Sequence, residues 1–226
     1  MKAACYCGTR NLYGDMIPAV KSLLCNSNVD KVFLLIEDDE FPYTLPNCVE
    51  IINVSNQAYF KREGPNFNSP WTYMVLMRAA LHRVFPDLDK ILSLDIDTIV
   101  AKDISELWDI PVNDYYLAGA IEPAKSQYRT YINCGVMMLN LAKLRDSGKG
   151  DELIDALNVR RYGFNEQDCI AEQCQGGILE IPSIYNANNY TEPTTQPKIV
   201  HFAAIRHYQS QPLVEMYRSK SWDELR

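Results

Sequence analysis

Two aspartates separated by one residue follow a short apolar run near the middle of the chain. Residues 90–94 predict a strand, and Asp95 and Asp97 come directly after it. Side chains two residues apart in extended backbone point to the same face, and open α/β sheets bind ligands at the carboxyl ends of their strands. Two adjacent carboxylates repel each other unless a cation lies between them, and their oxygens suit Mg²⁺ and Mn²⁺. The pair therefore predicts a divalent metal site, the alternative being a solvated loop that contains two acids.

The elements that must position this pair alternate along the chain. Apolar runs predict strands over 2–7, 31–36, 49–54, 90–94, 116–120, 136–139, 178–181 and 199–201. Amphipathic patterns predict helices from about 15 to 24, over 71–84, and near 151–158, 167–174 and 213–217, and Asp15 is placed to cap the first of them. Alternating strands and helices are typical of an α/β fold with a mixed, mostly parallel sheet flanked by helices. The sequence shows no linker or internal repeat, so we expect a single domain.

Composition narrows the classes of ligand. The chain has 226 residues, of which 22 are basic and 29 acidic, and its net charge is −7. Nucleic-acid binders usually carry a concentrated basic stripe, so we expect no nucleic-acid partner. An anionic substrate would need a local positive charge from a metal or from a few arginines and lysines. The composition therefore favours an enzyme that acts on small molecules.

The N-terminus and the cysteines indicate the cellular compartment in which the protein is expected. The opening residues do not build the apolar core of a signal peptide, and no stretch approaches the length of a membrane-spanning helix. The seven cysteines are irregularly spaced and form no Cys-x-x-Cys pair, a pattern that favours free thiols in a reducing compartment. We expect a cytoplasmic protein without a transmembrane segment, and the sequence leaves its oligomeric state open.

Several further segments carry polar residues that suit a binding site. They are Gly8-Thr9-Arg10-Asn11, the run around Arg78, Asp95-Ile96-Asp97, Asn133-Cys134-Gly135, Asn165-Glu166-Gln167-Asp168 and the run from His201 to His207. In this order they resemble glycosyltransferase family eight, the retaining enzymes that include glycogenin and bacterial lipopolysaccharide galactosyltransferases. The resemblance covers nearly the whole chain. It implies a single GT-A-like nucleotide-sugar-binding domain over 1–226, with a nucleotide-binding half at about 1–100 and a sugar and acceptor half at about 101–226.

The resemblance also implies a metal and a donor. Asp95, Asp97 and His201 would hold Mn²⁺, with Mg²⁺ as the other option, and the Asp95-Ile96-Asp97 segment would contact the diphosphate of a UDP-sugar. A lone histidine is more often a structural residue, but His201 stands at a strand end where the family has its third ligand. The other implied donor contacts are Thr9, Asn11, Arg78, Asn133, Gly135 and His207.

Three residues are implied to lie near the reacting carbon of the sugar. They are Glu122, Glu166 and Gln167. The chain departs from the family at several positions: Glu166 replaces an aspartate, Thr9 replaces a common aspartate, Leu12 replaces a frequent tyrosine, Ala204 replaces a glycine, and His207 replaces a phosphate-binding lysine. Simpler interpretations remain for these residues, such as helix capping at the Asn165 segment and for Asn140.

The implied reaction is metal-dependent transfer of glucose or galactose from a UDP-sugar to an acceptor hydroxyl, with retention at the anomeric carbon. The acceptor could be a glycan, a lipid or a protein. The departures near His201 leave a second hypothesis, a sugar-nucleotide-binding relative that has lost turnover. A haloacid-dehalogenase-like phosphatase also places Asp-x-Asp after a strand, and a nucleotidyltransferase shares the fold class, but both lack their other expected motifs here.

Overall fold

The computed structural model describes residues 1–123 and 127–225. Within these residues the strands are β1 (Ala3–Cys7), β2 (Lys31–Ile36), β3 (Val49–Asn53), β4 (Lys90–Leu94), β5 (Thr98–Val100), β6 (Leu117–Ile121), β7 (Ile132–Asn140), β8 (Ile178–Glu180) and β9 (Ile199–His201). The α-helices of the same residues are α1 (Tyr13–Asn26), α2 (Leu81–Val84), α3 (Leu141–Asp146), α4 (Lys149–Val159), α5 (Asn165–Gln173) and α6 (Pro212–Ser219). A 3₁₀ helix at Tyr73–Ala80 leads directly into α2.

The main sheet has seven strands in the order β3-β2-β1-β4-β7-β6-β8. The pairs β1–β2, β1–β4, β2–β3 and β6–β8 are parallel, whereas β7 is antiparallel to both β4 and β6. The sheet is therefore mixed and mostly parallel, as the sequence predicted. It contains strands from both predicted halves of the chain.

The two faces of the sheet bury separate hydrophobic clusters, and β1 shows how. Ala3 and Cys5 belong to the cluster that packs under the 3₁₀ helix, α3, α4 and α5, while Ala4 and Tyr6 belong to the cluster on the side of α1. Alternate side chains of a strand point to opposite faces, so a strand covered on both sides must be apolar throughout. This is why β1, β2 and β4 read as continuous apolar runs.

A tight turn after β4 orients the side chains of the two aspartates toward one cavity. Thr98 closes the turn, because its backbone N–H and its hydroxyl both donate to the carbonyl of Asp95, at 3.2 and 2.6 Å. The predicted extended backbone at Asp95 and Asp97 is therefore wrong, although both side chains still face one cavity. β5 then pairs with β9 in a second, two-stranded sheet with Thr98 opposite His201, and this pairing brings the histidine beside the aspartates.

Two other local predictions need correction. The predicted helix over 71–84 is mostly a 3₁₀ helix, which begins after Thr72, a residue with φ of 65° whose side chain accepts from the backbone of Met74. The helix predicted to begin at Asp15 begins at Tyr13, so Asp15 lies inside its first turn, where its carboxylate accepts from Gln209 instead of capping. Asn140 does cap α3, as predicted, by accepting from the backbone of Lys143. Among the residues described, no helix has the length and apolar character to cross a membrane.

Candidate active site

Asp95, Asp97 and His201 meet at the carboxyl edge of the sheet. Their ligand atoms all lie within 4.8 Å of one another. Nε2 of His201 is 3.3 Å from Oδ1 of Asp97 and 3.7 Å from Oδ2 of Asp95. The histidine is buried and both aspartates are half-buried. Two carboxylates and one imidazole nitrogen converging in this way can hold a divalent cation such as Mn²⁺.

Asn186 fixes which nitrogen of His201 faces the aspartates. Its Nδ2 donates to the carbonyl of Asn133 at 3.1 Å, so its Oδ1 is the atom 2.8 Å from Nδ1 of His201. A side-chain oxygen can only accept, so the proton of the neutral ring is on Nδ1 and the lone pair on Nε2 points at the aspartates. Hydrogen bonds of this kind orient metal-ligating histidines in other proteins. Sequence reasoning missed Asn186, which lies in a segment without periodicity.

Gly135 makes room for the same ring. A Cβ built on Gly135 would lie 2.1 Å from Cε1 of His201, far inside van der Waals contact. The backbone of Gly135 also accepts from the backbone N–H of Asp95 at 2.8 Å. Gly135 was predicted to let the backbone approach the donor. In the structure it lines the cavity, and the close approach that requires a glycine is that of His201.

The charges of the three candidate ligands are strongly coupled. Burial raises the pKa of Asp95, and the neighbouring Asp97 adds to this effect. Burial also opposes ionisation of Asp97, but His201 outweighs it and lowers the pKa of that carboxyl. For His201, burial disfavours the imidazolium, yet Asp97 and Asp95 together raise its pKa. The shifts of Asp97 and His201 show that a positive charge on the imidazole is favourable beside these carboxylates.

Arg78 connects the candidate metal ligands to the start of α5. Its guanidinium is buried and contacts Oδ1 of Asp95 at 2.7 Å and Oε1 of Glu166 at 2.5 Å. It also donates to the carbonyl of Cys134 at 2.8 Å. Burial opposes ionisation of Arg78, but Asp95 and Glu166 outweigh it, so its pKa is raised. Arg78, which was predicted to contact the donor, therefore has its guanidinium bound by protein groups and connects the carboxylates of Asp95 and Glu166.

Glu166 has an unusual environment for an acid. Its side chain is buried, and burial raises its pKa to about 7 even though Arg78 acts in the opposite direction. Asn165, the first residue of α5, has φ of 44° and donates to Ser69 at 2.5 Å. The turn before the helix is thereby tied down, and Glu166 points inward rather than into solvent.

A second polar network forms the inner wall of the cavity. Oε2 of Glu122 accepts from Asn133 and from Gln167, both at 3.2 Å. Gln167 also accepts from the backbone of Cys134 at 2.9 Å and donates to Tyr131 at 3.0 Å. Asn133 receives a further bond from Asn186 at 3.0 Å. Glu122, Asn133 and Gln167, predicted separately from three segments, are thus one hydrogen-bonded group.

These groups line one cavity of about 460 Å³. Its wall includes Asp95, Asp97 and His201 on one side, and Glu122, Asn133 and Gln167 on another. This volume falls within the range of small-molecule sites. Three aromatic side chains, Trp71, Phe164 and Tyr190, also line it. No sequence motif pointed to these aromatic residues.

A smaller cleft of about 180 Å³ adjoins the cavity and shares Trp71, Val75, Asp95 and Asp97 with it. Ile96, predicted to contact the donor, lines this cleft together with Gly8, Leu12 and Tyr208. The loop after β1, which was predicted to bind the nucleoside, therefore reaches the candidate site through Gly8 and Leu12.

Three predicted donor contacts are not part of either cavity wall. The hydroxyl of Thr9 donates to the side chain of Asn11 at 2.7 Å, and Asn11 is exposed beside the smaller cleft. His207 is exposed, with a left-handed backbone at φ of 57°. Its neighbour Tyr208 takes the position against the cleft, so the predicted phosphate contact by His207 has no support from this arrangement.

Comparison with known proteins places this chain in a known family. The family model described as glycosyl transferase family 8 matches residues 39–224. General stress protein A of Bacillus subtilis (strain 168) is 29% identical over 165 residues, which cover 56% of this chain and 57% of the relative. Alignments with curated relatives cover between 9% and 57% of their own lengths. The chain therefore spans well under two thirds of each of these relatives.

Solved structures show the same fold. The glycosyltransferase GlyE of Streptococcus pneumoniae TIGR4 superposes with a TM-score of 0.74 at 18% identity, over 99% of this chain and 62% of that chain. The galactosyltransferase LgtC, solved in complex with donor and acceptor sugar analogues, superposes with a TM-score of 0.70 at 17% identity, over 98% of both chains. These similarities confirm the predicted GT-A-like fold.

Proposed function

The chain belongs to glycosyl transferase family 8, and from this premise we propose that it transfers glucose or galactose from a UDP-sugar to an acceptor hydroxyl. The observation that carries the proposal is the position of the Asp95, Asp97 and His201 cluster, which stands between a cavity with a polar wall and an adjoining cleft. In this proposal the sugar occupies the first space, and the diphosphate lies across the cluster with the nucleoside directed toward the second. The cluster lies where their bond would be broken.

The residues present fit a divalent metal. Asp95 and Asp97 offer carboxylate oxygens, and Asn186 holds His201 so that Nε2 faces them. This ligand set includes a nitrogen. It therefore suits Mn²⁺ better than Mg²⁺, whose sites are typically made of oxygen ligands alone. When bound, the ion supplies Lewis-acid stabilisation of the departing diphosphate. It also explains how a chain with a net charge of −7 can hold an anionic donor.

The acids and amides of the inner wall bind the donor hexose in this proposal. Glu122 and Asn133 present hydrogen-bonding atoms to its hydroxyls, and Gln167 lies beside its anomeric carbon. The sugar passes through an oxocarbenium-like state when the bond to the diphosphate breaks. Side-chain oxygens of Glu122 and Gln167, held in place before the reaction by their mutual hydrogen bond, stabilise the positive charge that develops.

Retention is proposed to arise by reaction on one face. The acceptor oxygen bonds to the anomeric carbon on the side from which the diphosphate departs, and the diphosphate takes the acceptor's proton. Gln167 is an amide engaged by three hydrogen bonds, which suits it to charge stabilisation rather than to nucleophilic attack. If Gln167→Ala keeps most of the transfer rate, this residue has no part in the chemistry.

A donor panel tests the proposal. UDP release is measured from UDP-glucose, UDP-galactose and other UDP-sugars, with Mn²⁺ and with a chelator. We expect turnover of one hexose donor that requires the metal. Donor binding in calorimetry without UDP release would instead identify a binding protein that has lost turnover, the alternative suggested by Ala204 and His207. If no UDP-sugar binds and none releases UDP, both the transferase and the binding-protein hypotheses are contradicted.

A further inference from the structure

A further cleft opens at the carboxyl edge of the main sheet, beside the loop that follows β1. Its volume is about 370 Å³, and its wall consists of Arg10, Glu37, Ser55, Arg62, Phe67 and Tyr73. Glu37 directly follows β2, and Ser55 comes two residues after β3. This arginine cleft shares no wall residue with the two spaces assigned to the donor. Its volume is large enough for a ligand of monosaccharide size.

The free hydrogen-bonding groups of the arginine cleft are donors on two guanidinium groups. Arg62 donates to the carbonyl of Ser55 at 3.3 Å and forms no ion pair with a carboxylate of the described residues. Arg10 is paired with Asp38 through Nε and Nη2, which leaves Nη1 without a partner in the part of the chain that the structure describes. The Arg10 side chain is 73% exposed. Both arginines can therefore donate to a ligand.

The acid in the same wall already has partners of its own. Oε2 of Glu37 accepts from the backbone N–H of Arg10 at 2.9 Å, and Oε1 accepts from the hydroxyl of Tyr73 at 3.1 Å. A wall that offers donors and whose acid is engaged suits a ligand group made of acceptors. Carboxylate and phosphate are such groups, and the planar guanidinium of arginine can bind either of them through two parallel hydrogen bonds.

Two aromatic rings give the arginine cleft a flat apolar part. The rings of Phe67 and Tyr73 are stacked, with centroids 4.7 Å apart and planes 2° from parallel. Tyr73 is also held by its hydrogen bond to Glu37. A compact ring can pack its C–H groups or its own face against such a surface. A bare inorganic ion would leave this part of the wall uncovered.

The loop that carries Arg62 is fixed to α4. The side chain of buried Asn66 donates to the carbonyl of Leu157 at 2.7 Å, and the backbone N–H of Lys61 donates to the side chain of Asn158 at 2.8 Å. The backbone of Arg62 is thus restrained from both sides. A restrained backbone has less conformational freedom to lose when a ligand binds.

We propose that the arginine cleft binds a carboxylate or phosphate carried on a compact ring, with the oxyanion on Arg62 and Arg10 and the ring against Phe67 and Tyr73. A hexuronate and a hexose phosphate share this chemistry. The ligand is either a charged unit of the acceptor or a free effector, and the experiment distinguishes these two sources. The inference does not rest on the proposed function, because it concerns a separate cleft.

Calorimetry on the full chain, kept free of metal so that anions are not drawn to the candidate metal ligands, tests the proposal. The probes are glucuronate, glucose 6-phosphate, glucose and inorganic phosphate. We expect both charged sugars to bind and glucose to show no measurable binding. Inorganic phosphate should bind more weakly than glucose 6-phosphate, because it makes no contact with the rings. Higher ionic strength should weaken the binding of both charged sugars.

Variants tie the binding to this cleft. Arg62→Gln is expected to weaken the binding of both charged sugars about tenfold or more, through loss of charge-assisted hydrogen bonds. Arg62→Lys keeps the charge but not the planar pair of donors, so its affinity should be intermediate. Arg160→Gln is the matched control, because Arg160 is 61% exposed and stands 5.3 Å from the centroid of the Tyr162 ring, outside the cleft. This control should bind both sugars as wild type does.

Three results would overturn the assignment. Glucose that binds as tightly as glucuronate would show that the oxyanion has no part in recognition. Inorganic phosphate that binds as tightly as glucose 6-phosphate would remove the role given to the rings. Equal affinities of wild type and Arg62→Gln for the charged sugars, with matching urea denaturation curves, would place any binding elsewhere on the protein.

The source of the ligand is identified by adding Mn²⁺ and the UDP-sugars to the charged sugar that binds. A product heavier by one hexose in mass spectrometry identifies an acceptor. A changed rate of UDP release without such a product identifies an effector, and either result supports the site. Binding that is lost in Arg62→Gln, without UDP release from any donor, contradicts the proposed transferase and leaves the arginine cleft as a binding site.

Discussion

The side-chain oxygen of Asn186 lies 2.8 Å from Nδ1 of His201. The amide of Asn186 is oriented by its own donation to the carbonyl of Asn133, so this contact sets the tautomer of the histidine. Nε2 is thereby left as the nitrogen that faces Asp97, 3.3 Å away. A residue with no predicted role thus decides whether His201 is available as a ligand.

Asn186→Ala is expected to weaken Mn²⁺ binding by about 10- to 100-fold, because outer partners of ligating histidines have effects of this size. Titration of free Mn²⁺ by electron paramagnetic resonance measures the affinity directly. Asn186→Asp, which keeps an oxygen near Nδ1, should retain more affinity. Asn158→Ala is the control, since that amide bonds the carbonyl of Tyr59 at 2.7 Å and lines neither cavity. An affinity of Asn186→Ala within twofold of wild type would refute this role.

Gly135→Ala should displace the His201 ring, because a Cβ at this position would lie 2.1 Å from Cε1. We expect weaker Mn²⁺ binding together with a loss of about 1–3 kcal/mol in the free energy of unfolding from overpacking. The ¹H–¹³C signal of Cε1 of His201 should shift. Gly14→Ala, whose added methyl would meet only the side chain of Tyr43 at 3.1 Å or more, should leave both the signal and the affinity unchanged. An unshifted signal in Gly135→Ala would show that the ring tolerates the methyl group.

Arg78→Met is expected to lower the free energy of unfolding by about 3–5 kcal/mol, since it leaves buried Glu166 without its counter-charge. Urea denaturation measures this change. Arg78→Met combined with Glu166→Gln should recover part of the loss, because the unpaired buried charge is gone. Arg83→Met removes an exposed pair with Asp151 and should cost less than about 1 kcal/mol. Equal losses for Arg78→Met and Arg83→Met would contradict the bridging role of Arg78.

The buried Glu166 predicts a pH dependence of stability in the metal-free protein. Its pKa is raised from 4.5 to about 7 on folding, so the folded state binds the proton more tightly than the unfolded state does. The contribution of this group is fully present below pH 4.5 and is lost as the pH rises through 7. The loss amounts to about 3 kcal/mol between these limits. Glu166→Gln lacks this contribution.

Urea denaturation at pH 5 and pH 8, for wild type and Glu166→Gln, isolates the effect, because the other titrating groups are common to both proteins. We expect the stability of wild type to fall more between the two pH values than that of the variant. Parallel pH profiles would show that Glu166 is already ionised at pH 5 and that Arg78 dominates its environment.

Much of the fold followed from local pattern. β2 and β4 have the bounds that their apolar runs predicted, because each run is buried on both faces and ends in acidic residues. β7 was predicted only over 136–139, but it spans Ile132–Asn140 and is buried throughout. Three of its first four residues, Asn133, Cys134 and Gly135, are polar or small, so the local apolar pattern does not extend to them. Asn133 and Gly135 therefore lie on a strand, where sequence-local reasoning could not place them.

The candidate site was predictable to the extent that its residues belong to motifs. Asp95, Asp97 and His201 were named from the sequence, and the structure brings them together. Their partner Asn186 reaches His201 from a segment without regular structure, and buried Glu166 pairs with Arg78, which is distant in sequence. Contacts of this kind arise only when the chain is folded. His207 shows the converse, because it occupies the position of the family's phosphate-binding lysine but is exposed to solvent.

The measurement that tests the central claim most directly is UDP release from the preferred UDP-sugar during a Mn²⁺ titration, for wild type, Asp97→Asn and Asp114→Asn. Asp114 is an exposed residue outside the cavity, so its variant makes the same chemical change at a position that has no role in the proposed site. We predict that wild type and Asp114→Asn release UDP only when Mn²⁺ is present, and that Asp97→Asn loses about a hundredfold or more of this activity. UDP release by wild type that persists in a chelator, or undiminished release by Asp97→Asn, would contradict a metal-dependent transfer at this site.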